Sequence, residues 1–381
     1  MRILLVSLHF GEEGSGGSRR SFLWAKGLRA AGHKVHVVSP YANLENEDDI
    51  VIPHRHQKQR DMNSPEIPAS LFERGIKRHL RLWLLWPEPE ILWYKTVEAA
   101  VVEKIDSVDW VFTTSPPESS HRIGGDLAMN LKAKWCAEFR DSWTENSHRP
   151  HVKGIRAKIE KQLAKRWLKT VDAVTAVDKY IIKEARALAP HANYCEIGHF
   201  SEPFSGTPAS LSEDDINIVH AGGFSRSDRR RKLKDLLSLI APTMRQRSEL
   251  RLHLFGPLSF EEAEQLKATD LKITYHGWVS LSRSRELQAG ADALLLFTPS
   301  SGSQALPGKY SEYCNLRKPI IFIGPDHIKQ MAHRHSEFRS VSDLLVLSKN
   351  EITPPETFAT VSHATHRLIK LLDLASEVEN A

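Results

Sequence analysis

The apolar run Ile3-Leu4-Leu5-Val6, the turn-rich segment Gly11-Glu12-Glu13-Gly14-Ser15-Gly16-Gly17 and the run Val35-His36-Val37-Val38 decide how this chain folds. Four successive apolar residues without alternation read as a strand buried on both faces. The glycines supply a turn. Phe22, Leu23, Ala25, Leu28 and Ala30 then recur at helical spacing until Gly32-His33 stops them. With Val35–Val38 as a second strand, the stretch is a strand–helix–strand unit, the building block of a parallel sheet with helices on both faces.

The same alternation extends along the chain, with one break. Residues 42–66, dominated by Asn, Asp, Glu, Pro and Gln, read as a long polar loop. Leu71–Trp86 reads as a two-faced helix, with Arg74, Lys77, Arg78 and Arg81 opposite Phe72, Ile76, Leu80 and Trp83. Strands are predicted at Trp110–Thr113, Trp135–Phe139 and Ala173–Val177, with helices near 119–132, 155–170 and 179–187. Residues 201–214, rich in Ser, Pro, Gly, Thr, Glu and Asp, read as a linker, and the cycle then restarts. Strands follow at Ile216–His220, Arg251–Phe255, Ile273–His276, Ala293–Phe297 and Pro319–Ile323, with a helix over Lys234–Ile240 and a last amphipathic one from about Val361 to Leu374. The expected organisation is a first βα-repeating domain at 1–200, a linker at 201–214, a second such domain at 215–360, and a terminal helical segment at 361–381.

Composition narrows the class. A length of 381 residues suits two domains better than one. A net charge of +5 favours anionic ligands or surfaces but is too small to argue for nucleic-acid binding, and no nucleic-acid recognition motif is present. Cys136, Cys195 and Cys314 lie far apart, which removes zinc and redox spacings and fits a reduced cytoplasmic setting. No apolar run reaches the roughly 18 residues a membrane-spanning helix needs. Met1–Phe10 is followed by Gly11-Glu12-Glu13 rather than a small-residue cleavage site, so it reads poorly as a signal peptide.

Several motifs in order give a resemblance. The opening strand, Gly-Gly loop, helix and Ala31-Gly32-His33-Lys34-Val35 come first, then Thr114-Ser115-Pro116-Pro117 and Glu138-Phe139-Arg140-Asp141-Ser142-Trp143. Ile197-Gly198-His199-Phe200 follows, then Gly256-Pro257, His276-Gly277-Trp278, Pro307-Gly308-Lys309-Tyr310-Ser311-Glu312-Tyr313 and Lys318-Pro319. Together they resemble glycosyltransferases of the GT-B fold, most of all family four, over nearly the whole chain. The resemblance implies an α/β fold of two Rossmann-like domains facing across a cleft. It also implies a retaining transfer from a nucleotide-diphosphate sugar to a glycan or lipid-linked acceptor, in cell-surface polysaccharide or glycoconjugate synthesis. No metal or other cofactor is implied, since the nucleotide sugar is a substrate. No Asp-X-Asp stands ready to hold a metal, and Glu47-Asp48-Asp49 has the wrong spacing. The family's donor site commonly carries two glutamates seven residues apart. Glu312 matches the second, but the first falls on Gln304, an amide that hydrogen-bonds without ionising.

Candidate site residues follow from the resemblance and from residue chemistry together. In the donor domain, Glu312 is suited to two ribose hydroxyls, or else to a helix start that favours acids. Lys309 can reach a phosphate or simply face solvent. Gly222 and Gly223 let backbone approach a ligand, and Gly277 belongs to the same framework. Arg226 and Arg230 are the best matches to the cations that neutralise the leaving diphosphate, with Arg229 and Arg231 close enough to exchange with them. In the acceptor domain, Gly16 and Gly17 shape a loop, and Arg140 and Asp141 follow a strand at its carboxyl end, where ligands collect in open α/β sheets. Asp141 either takes or orients an acceptor hydroxyl proton, or caps a turn. His121 is a candidate acceptor group or a core histidine.

Two basic stretches carry a second meaning. The Leu71–Trp86 helix, with Trp83, Trp86, Trp93 and Tyr94 near it, and the basic helix from Ile155 to Lys169 suit the surface of a membrane, here the inner face of the cell membrane. Solvated domain helices are the alternative. Two rival functions remain: a nucleotide-sugar epimerase on the same fold, and a degenerate homologue that binds nucleotide or glycan without turnover, suggested by Gln304 and Arg140.

Overall fold

The computed structural model describes residues 1–13, 16–40, 49–53, 85–88, 90–144, 146, 149, 152–226, 228–298, 306–332, 339–349 and 360–377. The chain divides into two compact units, Met1–Gly198 with Val361–Ala381, and His199–Thr360.

In the first unit the elements are β1 (Arg2–Val6), α1 (Gly16–Ala30), β2 (Lys34–Ser39), β3 (Ile50–Val51), α2 (Ile91–Lys104), β4 (Trp110–Ser115), α3 (Ser120–Leu131), β5 (Lys134–Phe139), α4 (Ile155–Trp167), β6 (Ala173–Ala176), α5 (Lys179–Leu188) and β7 (Asn193–Glu196). The strands form a parallel sheet in the order β3-β2-β1-β4-β5-β6-β7. Ile3–Val6 have no exposed surface, as a centrally placed parallel strand requires. Trp24, Trp110, Trp135 and Trp143 are the largest fully buried side chains here.

The second unit contains β8 (Ile216–Ala221), α6 (Leu233–Gln246), β9 (Leu250–Phe255), α7 (Phe260–Ala268), β10 (Ile273–Tyr275), α8 (Leu281–Gly290), β11 (Ala293–Phe297), α9 (Lys309–Cys314), β12 (Ile320–Ile323) and α10 (Asp326–Lys329). Its parallel sheet runs β10-β9-β8-β11-β12. The segment expected as a linker is tied into this unit: Ala209 N–H donates to Glu286 O at 2.9 Å, and Ser201 forms an isolated bridge with Thr360.

The last helix, α11 (Val361–Glu377), belongs to the first unit and packs on α1, β6 and β7. Ala364, Leu368, Leu371, Leu372 and Ala375 face inward, at the i, i+4, i+7, i+8 spacing of an amphipathic helix. Gly27 of α1 permits the approach, because a Cβ there would lie 2.8 Å from Val361 Cγ1. Lys134 Nζ donates to the Ala375 carbonyl at 2.9 Å, a cation at a helix C-terminus.

Several expectations change. Ile50-Val51, inside the segment read as loop, forms β3 on Val38 and Ser39, steadied by Asp49, which accepts from Arg29 Nη2 at 2.7 Å. Residues 91–104 form α2 and turn Trp93 and Tyr94 into the core, each 3% exposed, so neither ring is a surface anchor. Of the Leu71–Trp86 helix, 71–84 lie outside the described residues, and Leu85-Trp86 are not helical.

A buried charge cluster joins these parts. Glu160 of α4, with no exposed surface, accepts from Arg149 Nη2 at 2.7 Å and Arg156 Nε at 2.9 Å. Both arginines also donate to Pro87 O, and Arg156 lies 4.6 Å over the Trp86 ring. Glu118 sits 3.4 Å from Arg149, and Glu88 accepts from Ser119 N–H at 2.7 Å. Burial pushes the Glu118 carboxyl well up, and the neighbouring Glu88 adds to the rise.

Candidate functional site

The carboxyl ends of β8, β9 and β10 all finish on glycines with positive φ: Gly222 (+114°), Gly256 (+121°) and Gly277 (+72°). They are linked through backbone, Gly222 N–H to Phe255 O and Gly256 N–H to Gly277 O, both at 2.8 Å. A Cβ on Gly256 would lie 2.7 Å from the Gly222 carbonyl carbon, and one on Gly223 would lie 2.8 Å from Pro257 O. At Gly256 only glycine meets both the backbone conformation and the contact, and at Gly223 the contact alone excludes a side chain. The result is a side-chain-free ledge at the edge of the sheet where α/β folds hold ligands.

Over this ledge lies Lys309, the first residue of α9: a Cβ on Gly222 would be 2.6 Å from its Cε and 3.3 Å from its Nζ. Glu312 stands half-buried in the first turn of the same helix. Tyr313, fully buried, donates its hydroxyl to Leu295 O at 3.4 Å and accepts from Ala221 N–H at 3.1 Å, which locks α9 against β8 and β11. Gln304 lies outside the described residues.

The arginine segment sorts itself by pairing. Arg230 forms a 2.7 Å ion pair with Asp228, and Arg226 is exposed, with Nη1 donating to Leu258 O at 3.4 Å. Arg230 and Arg231 are both half-buried. Burial pushes the Arg231 guanidinium down, with Asp228 and Tyr313 opposing. Burial also drives His220, at the end of β8, down to about 3, despite its bond to Leu295 O, and both Arg231 and Lys309 contribute. Lys309 therefore lies against the ledge, and Arg231 is near enough to His220, two residues before Gly222, to add to its lowering. The spacing of four arginines in six residues carried the signal for a cationic site; within it Asp228 pairs with Arg230 and also acts on Arg231.

In the first unit, Arg140 sits at the carboxyl end of β5, 8% exposed, with Nε donating to Ser115 O at 3.0 Å and Nη2 to Pro116 O. Its guanidinium lies so close to Gly17 that a Cβ there would collide with Nη1. The structure thus brings together Arg140, Gly16 and Gly17 at the start of α1, and the half-buried Asp141 beside Arg140. Beneath them Glu138, with no exposed surface, accepts from Arg20 Nε at 2.8 Å and Trp24 Nε1 at 2.7 Å. Burial alone would raise its carboxyl, but Arg20 and Arg140 hold it below the usual range. Arg20 also donates to the carbonyls of Ile197 and Gly198, both at 2.9 Å. The signal for this anchor is an acid inside an apolar strand, Trp135–Phe139.

His121 is placed differently from an acceptor-site group. It has no exposed surface, its Nδ1 is 3.0 Å from Thr113 Oγ1, and its ring centroid lies 4.6 Å from that of Phe139 and 6.0 Å from that of Trp143. Burial pushes it down to about 3, and Arg140 adds to the effect. It is a neutral packing residue.

Two parallel βα units, each with its candidate residues at the carboxyl edge, match solved structures over the full length. Sucrose-phosphate synthase from Thermosynechococcus elongatus superposes with a TM-score of 0.55 at 14% identity, covering 100% of this chain and 97% of that one. Anabaena Alr3699/HepE in complex with UDP-glucose gives 0.52 at 11%, covering 100% and 99%. The chain has the GT-B fold. A putative UDP-N-acetylglucosamine 2-epimerase from Listeria monocytogenes is also similar, with a TM-score of 0.52 at 9% identity, covering 100% of this chain and 97% of that one. No family model matches the chain, and no curated protein matches it in sequence. Within the GT-B fold, the glycine ledge, Lys309 and Glu312 belong to the second unit, and Arg140, Asp141, Gly16 and Gly17 to the first.

Proposed function

We propose that the chain is a glycosyltransferase that moves a sugar from a nucleoside-diphosphate sugar to an acceptor hydroxyl with retention, in the synthesis of cell-surface polysaccharide or glycoconjugate. The observation that carries this reading is the Lys309 side chain lying against the glycine backbone at Gly222, at the carboxyl edge of the sheet. A diphosphate fits such a place: the glycines let it come close to the backbone, and a cation beside them meets its charge. Glu312 accepts from two ribose hydroxyls. Arg231 and Lys309 take up the charge that develops on the departing diphosphate, which lowers the barrier without covalent help from the protein. On the first unit, Arg140, Asp141 and the backbone of Gly16 and Gly17 bind the acceptor, and Asp141 orients its hydroxyl. The charge stabilisation in this reading comes from protein groups, so a chelator leaves turnover unchanged.

The test is thermal unfolding with UDP, GDP, ADP and dTDP, on the native chain and on Glu312→Ala. UDP is the first to try, since the similar HepE structure holds UDP-glucose. A ligand at a hundredfold excess over its dissociation constant stabilises by about 2.7 kcal/mol. The expected result is a shift with one diphosphate that Glu312→Ala removes; no shift with any of the four overturns the donor site.

The similarity to a 2-epimerase favours a second reading, isomerisation of the nucleotide sugar itself. Incubation without acceptor separates the two. A new sugar nucleotide marks the epimerase, and release of diphosphate only when acceptor is present marks the transferase.

A further inference from the structure

We propose that the outer face of α4 and α5 is a docking surface for an anionic lipid bilayer. The two helices follow β5 and β6 and pack side by side. Because β5, β6 and β7 are consecutive parallel neighbours, the two right-handed crossovers place both helices on one face of the sheet, with both N-termini at its carboxyl edge.

The exposed surface of this pair has one sign. α4 presents Lys158, Lys161, Lys165 and Arg166 to solvent, and α5 presents Lys179, Lys183 and Arg186. The acids of both helices turn inward. Glu160 is held by Arg149 and Arg156, and Glu184 accepts from Ser142 and from the backbone of Trp143 and Thr144. Asp178, the cap of α5, is buried and accepts from Tyr180 N–H and Ile181 N–H. An ordinary solvated helix mixes charges of both signs on its surface. This pair does not.

Among these cations stand apolar side chains. Ile155 is 77% exposed, Ile159 one turn later is 48%, and Tyr180 is 47%. All three fall in the first turns of their helices, so they gather toward the carboxyl edge, where Arg140 and Asp141 also lie. Cations spread over a helical face with a few protruding Ile and Tyr side chains are the chemistry of an interfacial surface: the charges meet anionic headgroups and the apolar groups enter the acyl boundary. A folded acidic protein or a nucleic acid offers the charge but gains little from two bare isoleucines. If the proposed transfer holds, this orientation brings the acceptor edge toward lipid-linked acceptors; the docking itself does not depend on that reading.

The test is cosedimentation with vesicles of phosphatidylglycerol and phosphatidylcholine, against phosphatidylcholine alone, at low and high salt. The native chain is expected to bind the anionic vesicles and not the neutral ones. Each Lys or Arg near such a surface contributes roughly fivefold in partitioning, so Lys158→Glu/Lys161→Glu/Lys165→Glu is expected to weaken binding by roughly a hundredfold or more. Ile155→Ser/Ile159→Ser, which leaves the charge intact, is expected to weaken it by about tenfold and to abolish what survives in high salt. Absence of binding to anionic vesicles overturns the proposal. So does full binding by the isoleucine variant together with equal binding to heparin or duplex DNA, which would mark a general polyanion surface. The nucleotide-induced thermal shift is measured on the same variants, so that a folding defect or a failed donor site is distinguished from failed docking.

Discussion

Arg230 lies 2.7 Å from the Asp228 carboxylate, whereas its neighbour Arg231 is pushed down by burial beside Tyr313 and His220. Chain position does not separate the two; the short Arg230 pair with Asp228 and the burial that lowers Arg231 do. Arg231→Ala is therefore expected to weaken nucleoside-diphosphate binding by about 10- to 100-fold, the range for losing one charge-assisted hydrogen bond. Arg230→Ala should leave it within about threefold. Titration calorimetry of both variants decides, and equal losses would remove Arg231 from the site. The buried acids give a second contrast. Glu160 compensates two buried guanidinium groups, so Glu160→Gln is expected to cost about 3–5 kcal/mol. Glu118 behaves oppositely, because its folded pKa is raised by burial and by Glu88. A raised carboxyl contributes its stability in full below the unfolded pKa and loses it as pH rises toward the folded value. Native stability should thus decline from mildly acid to neutral pH, and Glu118→Gln, neutral throughout, should flatten that decline. Urea midpoints at pH 5 and pH 8 read both effects, and an unchanged slope in Glu118→Gln would count against the shared burial.

At the scale of elements, the strands were legible because parallel strands buried on both faces must be continuous apolar runs: Ile3–Val6, Trp110–Thr113 and Ala293–Phe297 could hardly be anything else. β3 is two residues long and held by Asp49, so nothing in Ile50-Val51 marked it off from the polar stretch around it. α2 escaped for the opposite reason. Its Trp93 and Tyr94 read as interfacial rings, while Trp93 in fact donates Nε1 to Ile52 O at 2.9 Å inside the core. Gly222, Gly223 and Gly277 were readable as candidates because glycine after a strand has few other uses. Gly256 stood with them in the Gly256-Pro257 motif, and what the paired strands add is its contact with the Gly222 backbone. Two glycines separate conformation from contact. Gly32, with φ +85° and nothing within 4 Å of a Cβ, meets only the backbone cost, so Gly32→Ala should lose about 1 kcal/mol. Gly256 adds a collision with the Gly222 backbone, and Gly256→Ala should lose about 3 kcal/mol or more. Thermal melts compare them directly, and the Gly256 variant should also lose its nucleotide response.

Taken whole, the first unit is built from two distant pieces of chain, Met1–Gly198 and Val361–Ala381. α11 covers apolar surface on α1 and the β6–β7 side with Leu368, Leu371 and Leu372, each 5% exposed or less. A fragment ending at Gly198 would leave that surface open, and it should be aggregation-prone and melt without a sharp transition. Joining residues 361–377 to it through a flexible linker should restore a cooperative melt; if the shorter fragment already melts sharply, α11 is an accessory rather than part of the core. The order of synthesis follows from the same feature. Residues 199–360 emerge before the covering helix does, a delay of roughly ten to thirty seconds at ~5–20 residues per second. For that interval the nascent first unit carries an uncovered apolar flank while the second unit can already close. Slowing translation across residues 199–360 lengthens that exposure.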